Sequence, residues 1–152
     1  MMSQSHSSPS STTSVTPVTY PELTQYREER PWGCFTVIQD APYCKVKHLV
    51  LLPQQRLSLQ YHHHREEHWL ITHGTGRVTV GQDQWLVSAG DLIRVPRLAE
   101  HRLENTSVDT LLEWVEVQLG DSFEESDIVR LQDDYQRVTD VSHTPTDKLK
   151  NA

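Results

Sequence analysis

Five of the nine histidines fall between His62 and His73, beside Gln60, Glu66 and Glu67. Imidazole and carboxylate are the side chains that bind borderline divalent cations, so this stretch raises the question of a metal site. Residues Leu57 to His63 alternate apolar and polar, as a strand does. Leu57, Leu59 and Tyr61 lie on one face and Ser58, Gln60 and His62 on the other. Gln60 and His62 therefore project the same way. A turn through His63 to Glu66 would return Glu67 on an antiparallel partner strand alongside them, with Glu67, Trp69 and Ile71 sharing a face. A further imidazole is available at His101, at the end of the run Gly90 to Asn105.

The elements that must position these donors are short strands. Segments of strand character are Cys34–Gln39, Lys45–Leu52, Leu57–His63, His68–Thr72, Arg77–Val80, Trp85–Val87, Asp91–Val95, His101–Glu104 and Leu111–Leu119. Turn signals separate them, among them Asp40-Ala41-Pro42, Gly74-Thr75-Gly76 and Ala89-Gly90. Many short strands at close spacing predict an antiparallel sandwich or barrel. One segment reads as a helix, Ser122 to Arg137: Ser122 and Glu125 make a capping box, and Ile128, Leu131 and Tyr135 share a helical face. Residues 1–19 hold no Asp, Glu, Lys or Arg and are rich in Ser, Thr and Pro, which predicts a disordered tail. A single domain is expected over 20–138 and a polar tail over 139–152. Pro21 to Glu29 reads equally as a helical turn or an extended arm.

A chain of 152 residues can bury one core. A net charge of −7 argues against nucleic acid as a partner, because phosphate backbones need a basic face. No apolar run approaches membrane-spanning length, and the N-terminus lacks the apolar segment of a secretory signal, so a cytoplasmic protein is expected. Cys34 and Cys44 read as reduced thiols.

The two histidine-bearing segments together resemble the paired motifs of the cupin superfamily. Gln60, His62, Glu67 and Gly74 follow the spacing of the first motif, and Gly90, Pro96, His101 and Asn105 that of the second. Gln54 and Leu98 stand where the superfamily prefers glycine. Gln60 in the leading ligand position is similar to the type II mannose-6-phosphate isomerases (phosphomannose isomerases). These are cupin domains usually fused behind a mannose-1-phosphate guanylyltransferase. The flanking blocks Arg30-Pro31-Trp32-Gly33, Lys45-Val46-Lys47, Glu116 to Gly120 and Asp127 to Arg130 agree, while Ser126 and Gln136 replace an expected acid and glycine. The resemblance implies an all-β double-stranded β-helix (a jelly-roll barrel). It also implies one divalent cation held by Gln60, His62, Glu67 and His101, donors that suit Zn²⁺, Mn²⁺, Fe²⁺ or Co²⁺ alike.

Lys45 and Lys47, two apart on one strand face, are candidate phosphate contacts or simply a solvated face. Arg65 could grip a phosphate bidentately, steady an enediolate, or pair with Glu66 or Glu100. His64, Glu66, His68 and Glu100 lie near the ligands in sequence as candidate proton-transferring groups, with His64 and Glu100 preferred. His63, His64 and His68 are surplus to the ligand set. Because Leu57, Leu59 and Tyr61 would face away from the metal, they must be covered either by the Pro21 to Gly33 arm or by a second subunit, and a homodimer is the expectation carried forward. The function the resemblance implies is an aldose–ketose isomerase acting on a small sugar phosphate. It would interconvert mannose 6-phosphate and fructose 6-phosphate and feed GDP-mannose and polysaccharide synthesis. A different class of function is a non-catalytic cupin that binds sugar phosphate or sugar nucleotide beside a separate guanylyltransferase. A third is a metal cupin whose chemistry has moved to another small ligand.

Overall fold

A computed structural model describes residues 25–137. The expected tails, 1–19 and 139–152, lie outside the described residues. Eleven strands form: β1 Tyr26–Arg30, β2 Gly33–Ala41, β3 Cys44–Leu51, β4 Leu59–His62, β5 Arg65–His73, β6 Thr75–Val80, β7 Asp83–Ser88, β8 Leu92–Val95, β9 His101–Glu104, β10 Leu112–Gly120 and β11 Ile128–Gln132. The nine predicted strand segments correspond to β2 through β10. Extended backbone wins over the helical turn at the N-terminal arm, which becomes β1 paired with β2.

The strands assemble into two antiparallel sheets, ordered β1-β2-β3-β10-β5-β8 and β11-β4-β9-β6-β7. Period-2 alternation turns every second residue inward, and these side chains divide the interior lengthwise. The inward face of β10 runs from Leu112 and Trp114 to Glu116 and Gln118. That of β5 runs from Ile71 and Trp69 to Glu67 and Arg65, and that of β3 from Leu51 and Leu49 to Lys47; all of these residues are buried. Cross-strand register places Trp114 opposite Leu49 and Ile71, and Gln118 opposite Glu67. One end of the barrel is thus an apolar core, joined by Val78 and Leu103 from the other sheet. The other end is lined by polar and charged side chains.

Three sequence expectations are corrected. First, β4 and β5 are not partners. β4 pairs with β9 and β11, β5 with β10 and β8, so His62 and Glu67 approach from opposite sheets across the interior. Second, Leu57 belongs to the core cluster, and Ser58 beside it is also buried. The alternation therefore breaks before β4, and the face that called for a second subunit reduces to half-buried Leu59 and Tyr61. Third, Ser122 to Arg137 is not a helix. It makes a single 3-10 turn, Glu125–Asp127, and then β11, which pairs with β4 through Ile128–His62, Val129–Tyr61 and Arg130–Gln60. Hydrogen bonding to an otherwise open strand edge outweighs a local helical pattern. Cys34 and Cys44 are free thiols.

Backbone geometry explains the motif's glycines. Gly74 has φ of +80°, and a Cβ there would run into the Leu111 carbonyl oxygen. Among the described residues, the non-glycine positions with positive φ are Gln54, Leu98 and Gln136, at +58°, +65° and +61°. All three stand where the resemblance leads glycine to be expected, and the backbone there adopts the left-handed turn that glycine favours. The left-handed conformation costs roughly 1–2 kcal/mol for a residue with a Cβ, and a glycine returns roughly half of that gain through its freedom in the unfolded chain. Leu98 is 59% exposed, so its side chain adds little packing. Leu98→Gly is therefore expected to raise the unfolding free energy by about 0.5–1 kcal/mol in urea titration; a loss of stability would show that the turn carries no strain.

Candidate metal and anion site

At the polar end, His62, Glu67 and His101 converge, with one donor atom from each lying within 4.8 Å of the others. His62 closes β4, Glu67 lies near the start of β5 and His101 opens β9. The Nε2 of His62 is 3.1 Å from Glu67 Oε1, and that of His101 is 3.8 Å from Oε2. The far nitrogens point at backbone carbonyls: His101 Nδ1 lies 2.9 Å from Ala99 O and His62 Nδ1 lies 3.5 Å from Asp127 O. In His101, an Nδ1–H held by the Ala99 carbonyl leaves Nε2 with its lone pair, as a metal-ligating imidazole requires; His62 Nε2 instead donates to Glu67 and would give up that proton on ligation. Burial pushes the His101 pKa down to about 4, keeping the ring neutral. Burial raises the Glu67 pKa, but the hydrogen bond and charge of His62, with the charge of Arg65, hold its carboxyl well below the usual range.

His101 Nε2 is buried and has no hydrogen-bond partner. An orphaned imidazole lone pair aimed at a carboxylate and a second imidazole is what a divalent cation would complete, so the donor set fits a metal. Gln60 lines the same space from β4, with its Cα paired to that of His101. Its amide oxygen accepts a hydrogen bond from the Ser58 hydroxyl at 2.7 Å, which leaves that oxygen a second lone pair.

The remaining candidates divide. Arg65 is 2% exposed. It donates from Nε to Glu67 at 3.0 Å and from Nη1 to the Glu124 carbonyl at 3.3 Å, and its Nη2 lies 3.4 Å from His62 Nε2. Its partner is Glu67, neither Glu66 nor Glu100. Lys47 is buried, sits over the Phe35 ring and reaches Glu125 at 3.4 Å. Lys45 shares its strand face but pairs with Asp40 at 3.1 Å, in a cleft with Asp121 and Phe123. His64 is exposed and turned to Asp121, and Glu100 is exposed; the structure brings neither to the three donors. Glu66 is held by His68 and Arg94 on the outside of the barrel.

The polar end holds a recess of about 60 Å³ whose wall includes residues the sequence did not propose as ligands or substrate contacts: Ser58, Glu116, Gln118, Glu125, Arg130 and Arg137. Glu116 and Gln118 lie two apart on a strand and inward of it. The signal that could have found them is a polar pair where the β10 alternation calls for apolar residues. Gln118 donates to Glu116 at 2.6 Å and to Glu67 at 3.4 Å. Burial, reinforced by the Glu67 charge, pushes the Glu116 pKa up to about 7. Asp127 accepts the backbone N–H groups of His63 and His64, so the 3-10 turn shapes the β4–β5 connection.

A two-sheet antiparallel barrel with two imidazoles and a carboxylate converging inside defines a double-stranded β-helix of the cupin class. Within it, the chain belongs to the family described as mannose-6-phosphate isomerase C-terminal, matched over residues 21–133. It is similar to a mannose-1-phosphate guanylyltransferase of Escherichia coli, 42% identical over 117 residues that cover 76% of this chain and 25% of that one. The alginate biosynthesis protein AlgA of Pseudomonas aeruginosa is 40% identical over 111 residues, covering 73% and 23%. The chain thus spans about a quarter of the length of the curated relatives it matches. Among solved structures, the capsular polysaccharide assembling protein CapF of Staphylococcus aureus superposes with a TM-score of 0.64 at 20% identity, over 76% of this chain and 34% of that one, a likeness of fold alone.

These findings correct the expectation of an aldose–ketose isomerase. The curated relatives carry guanylyltransferase and polysaccharide-biosynthesis names, and this chain corresponds to only one part of them. Among the described residues, no helix is long and apolar enough to cross a membrane.

Proposed function

We propose that this chain is a non-catalytic cupin that binds a sugar phosphate or sugar nucleotide and works beside a mannose-1-phosphate guanylyltransferase in the cytoplasm, in GDP-mannose and polysaccharide synthesis. The observation that carries the reading is the charge of the cavity. Arg30, Lys47, Arg65, Arg130 and Arg137 line it against three carboxylates, Glu67, Glu116 and Glu125, in a chain whose net charge is −7. Glu28 and Asp133 pair with Arg30 and Arg137 from outside the wall, and with Glu116 pushed up to about 7 the site keeps a positive excess at neutral pH. Cationic side chains gathered in a low-dielectric recess of an acidic protein select an anion. The relatives' names supply both the class of anion and the activity it would serve.

His62, Glu67 and His101 are the residues that would hold a divalent cation, and the Gln60 amide oxygen could join them through its second lone pair. Such an ion would act as a Lewis acid toward sugar oxygens. Arg65 then serves to orient Glu67, and Gln118 to hold Glu67 and Glu116 in register. Calorimetric titration of the purified protein with mannose 1-phosphate, mannose 6-phosphate and GDP-mannose tests the reading. At least one should bind with a dissociation constant of about 1 mM or tighter, and binding should weaken as salt rises, because the contacts are ionic. Unphosphorylated mannose binding equally well, or no phosphorylated ligand binding, would defeat it.

A further inference from the structure

We propose that Arg130 and Lys47 are the phosphate-holding pair of this cavity and that they take the terminal phosphate of a sugar monophosphate. This rests on the reading above that the cavity receives a phosphorylated sugar.

The five cations of the wall are not equally available. Arg30 is ion-paired with Glu28, and Arg137 donates from Nε, Nη2 and its backbone N–H to Asp133. Arg65 is committed to Glu67 and the Glu124 carbonyl. Arg130 differs: among the described residues it has no ion pair, and its Nε is buried without a hydrogen-bond partner. Leaving a buried guanidinium donor unsatisfied is unfavourable, and such a group points to an acceptor that belongs there. Ile128 and Arg130 alternate onto the cavity side of β11, where Arg130 stands opposite Gln60 in register. Burial and the like charge of Arg137, with that of Arg30, act against its positive charge, while Asp133 and Glu125 act for it. An arriving anion would relieve both the repulsion and the orphaned donor.

Lys47 reaches the same cavity from the facing sheet. Its carboxylate partner among the described residues, Glu125, is 52% exposed in its side chain and sits on the short 3-10 turn rather than in a sheet. Glu125 can turn into water and leave the ammonium to a ligand. A guanidinium fork on one wall and a point charge on the other suit a phosphate monoester. Size sets what the recess itself can take. A volume of about 60 Å³ accommodates about four to six waters by the volume each needs. That is room inside the recess for a phosphoryl group and the near part of a sugar, with the rest of a larger ligand left outside its mouth.

Calorimetry on the full chain separates the possibilities, with mannose 1-phosphate, mannose 6-phosphate, mannose, GDP-mannose and inorganic phosphate as probes. Arg130→Gln should weaken monophosphate binding by about 10- to 100-fold, the loss expected for one charge-assisted contact. It should leave the circular dichroism spectrum and metal content unchanged. Lys47→Met should do the same, and inorganic phosphate should compete in the wild type. If Arg130→Gln fails to fold, Arg130→Lys is read instead: it keeps the charge without the fork and should retain part of the affinity. A wild type that binds no phosphorylated probe defeats the functional reading itself. A wild type that binds them while both Arg130 variants bind as tightly overturns only the phosphate pair. GDP-mannose binding more tightly than either monophosphate overturns the monoester assignment.

Discussion

Glu67→Ala is expected to be the most damaging single substitution in the site, lowering the unfolding free energy by about 3–5 kcal/mol, the cost of removing one partner of a buried ion pair. Glu67 is 2% exposed and accepts from Arg65 Nε at 3.0 Å, Trp69 Nε1 at 3.1 Å and Gln118 Nε2 at 3.4 Å. Truncation leaves the Arg65 guanidinium charged and buried, with the Glu124 carbonyl at 3.3 Å, the His62 imidazole at 3.4 Å and a distant Asp127 carboxylate at 4.0 Å as its remaining contacts. It also orphans the Trp69 indole N–H in the middle of the core. Glu67→Gln keeps the shape and most of the hydrogen bonds while losing the charge, so it should cost less than Glu67→Ala. Urea denaturation of both variants checks this; a loss below about 1 kcal/mol for Glu67→Ala, the size of one ordinary hydrogen bond, would show that Arg65 does not depend on it.

His101→Ala is expected to reduce divalent-metal affinity by more than about 100-fold, exceeding the effect of losing a group that only supports a ligand. The basis is the orphaned Nε2 of His101 and its neutral ring, both directed at the same point as His62 and Glu67. Competition for Zn²⁺ or Co²⁺ against a chelator of known affinity measures it without any assay of activity. Equal affinity in wild type and variant, or no uptake by the wild type, would remove the metal from this site. His101 also meets the Trp69 ring edge-on at 5.7 Å, so a thermal melt is needed beside the titration to separate lost ligation from lost packing.

Much of the architecture was legible in the chain because it is local. Alternation of apolar and polar residues marked β2 through β10, and the turn residues between them marked the breaks. The same periodicity put Lys45 and Lys47 on one face, and Glu67, Trp69 and Ile71 on another. His62, Glu67 and His101 were legible because their spacing follows a motif, and the structure brings their donors together. The motif's missing glycines were legible too, and Gln54, Leu98 and Gln136 keep the left-handed backbone that glycine would have favoured.

What only the tertiary structure decided is which strand lies beside which. A hairpin of β4 and β5 satisfies the local pattern as well as a crossing between sheets does, because alternation specifies a face and not a neighbour. The pairing is settled by where each backbone edge finds its hydrogen bonds. Here the open edge of β4 captures Ile128–Gln132 and turns a helical pattern into a strand. That capture carries Arg130 to the cavity and sets Asp127 under the His63–His64 turn. The polar end is nonlocal for the same reason. Glu116, Gln118 and Arg130 are ordinary strand residues in sequence, and they acquire chemistry only when a closed barrel turns them inward and removes their water.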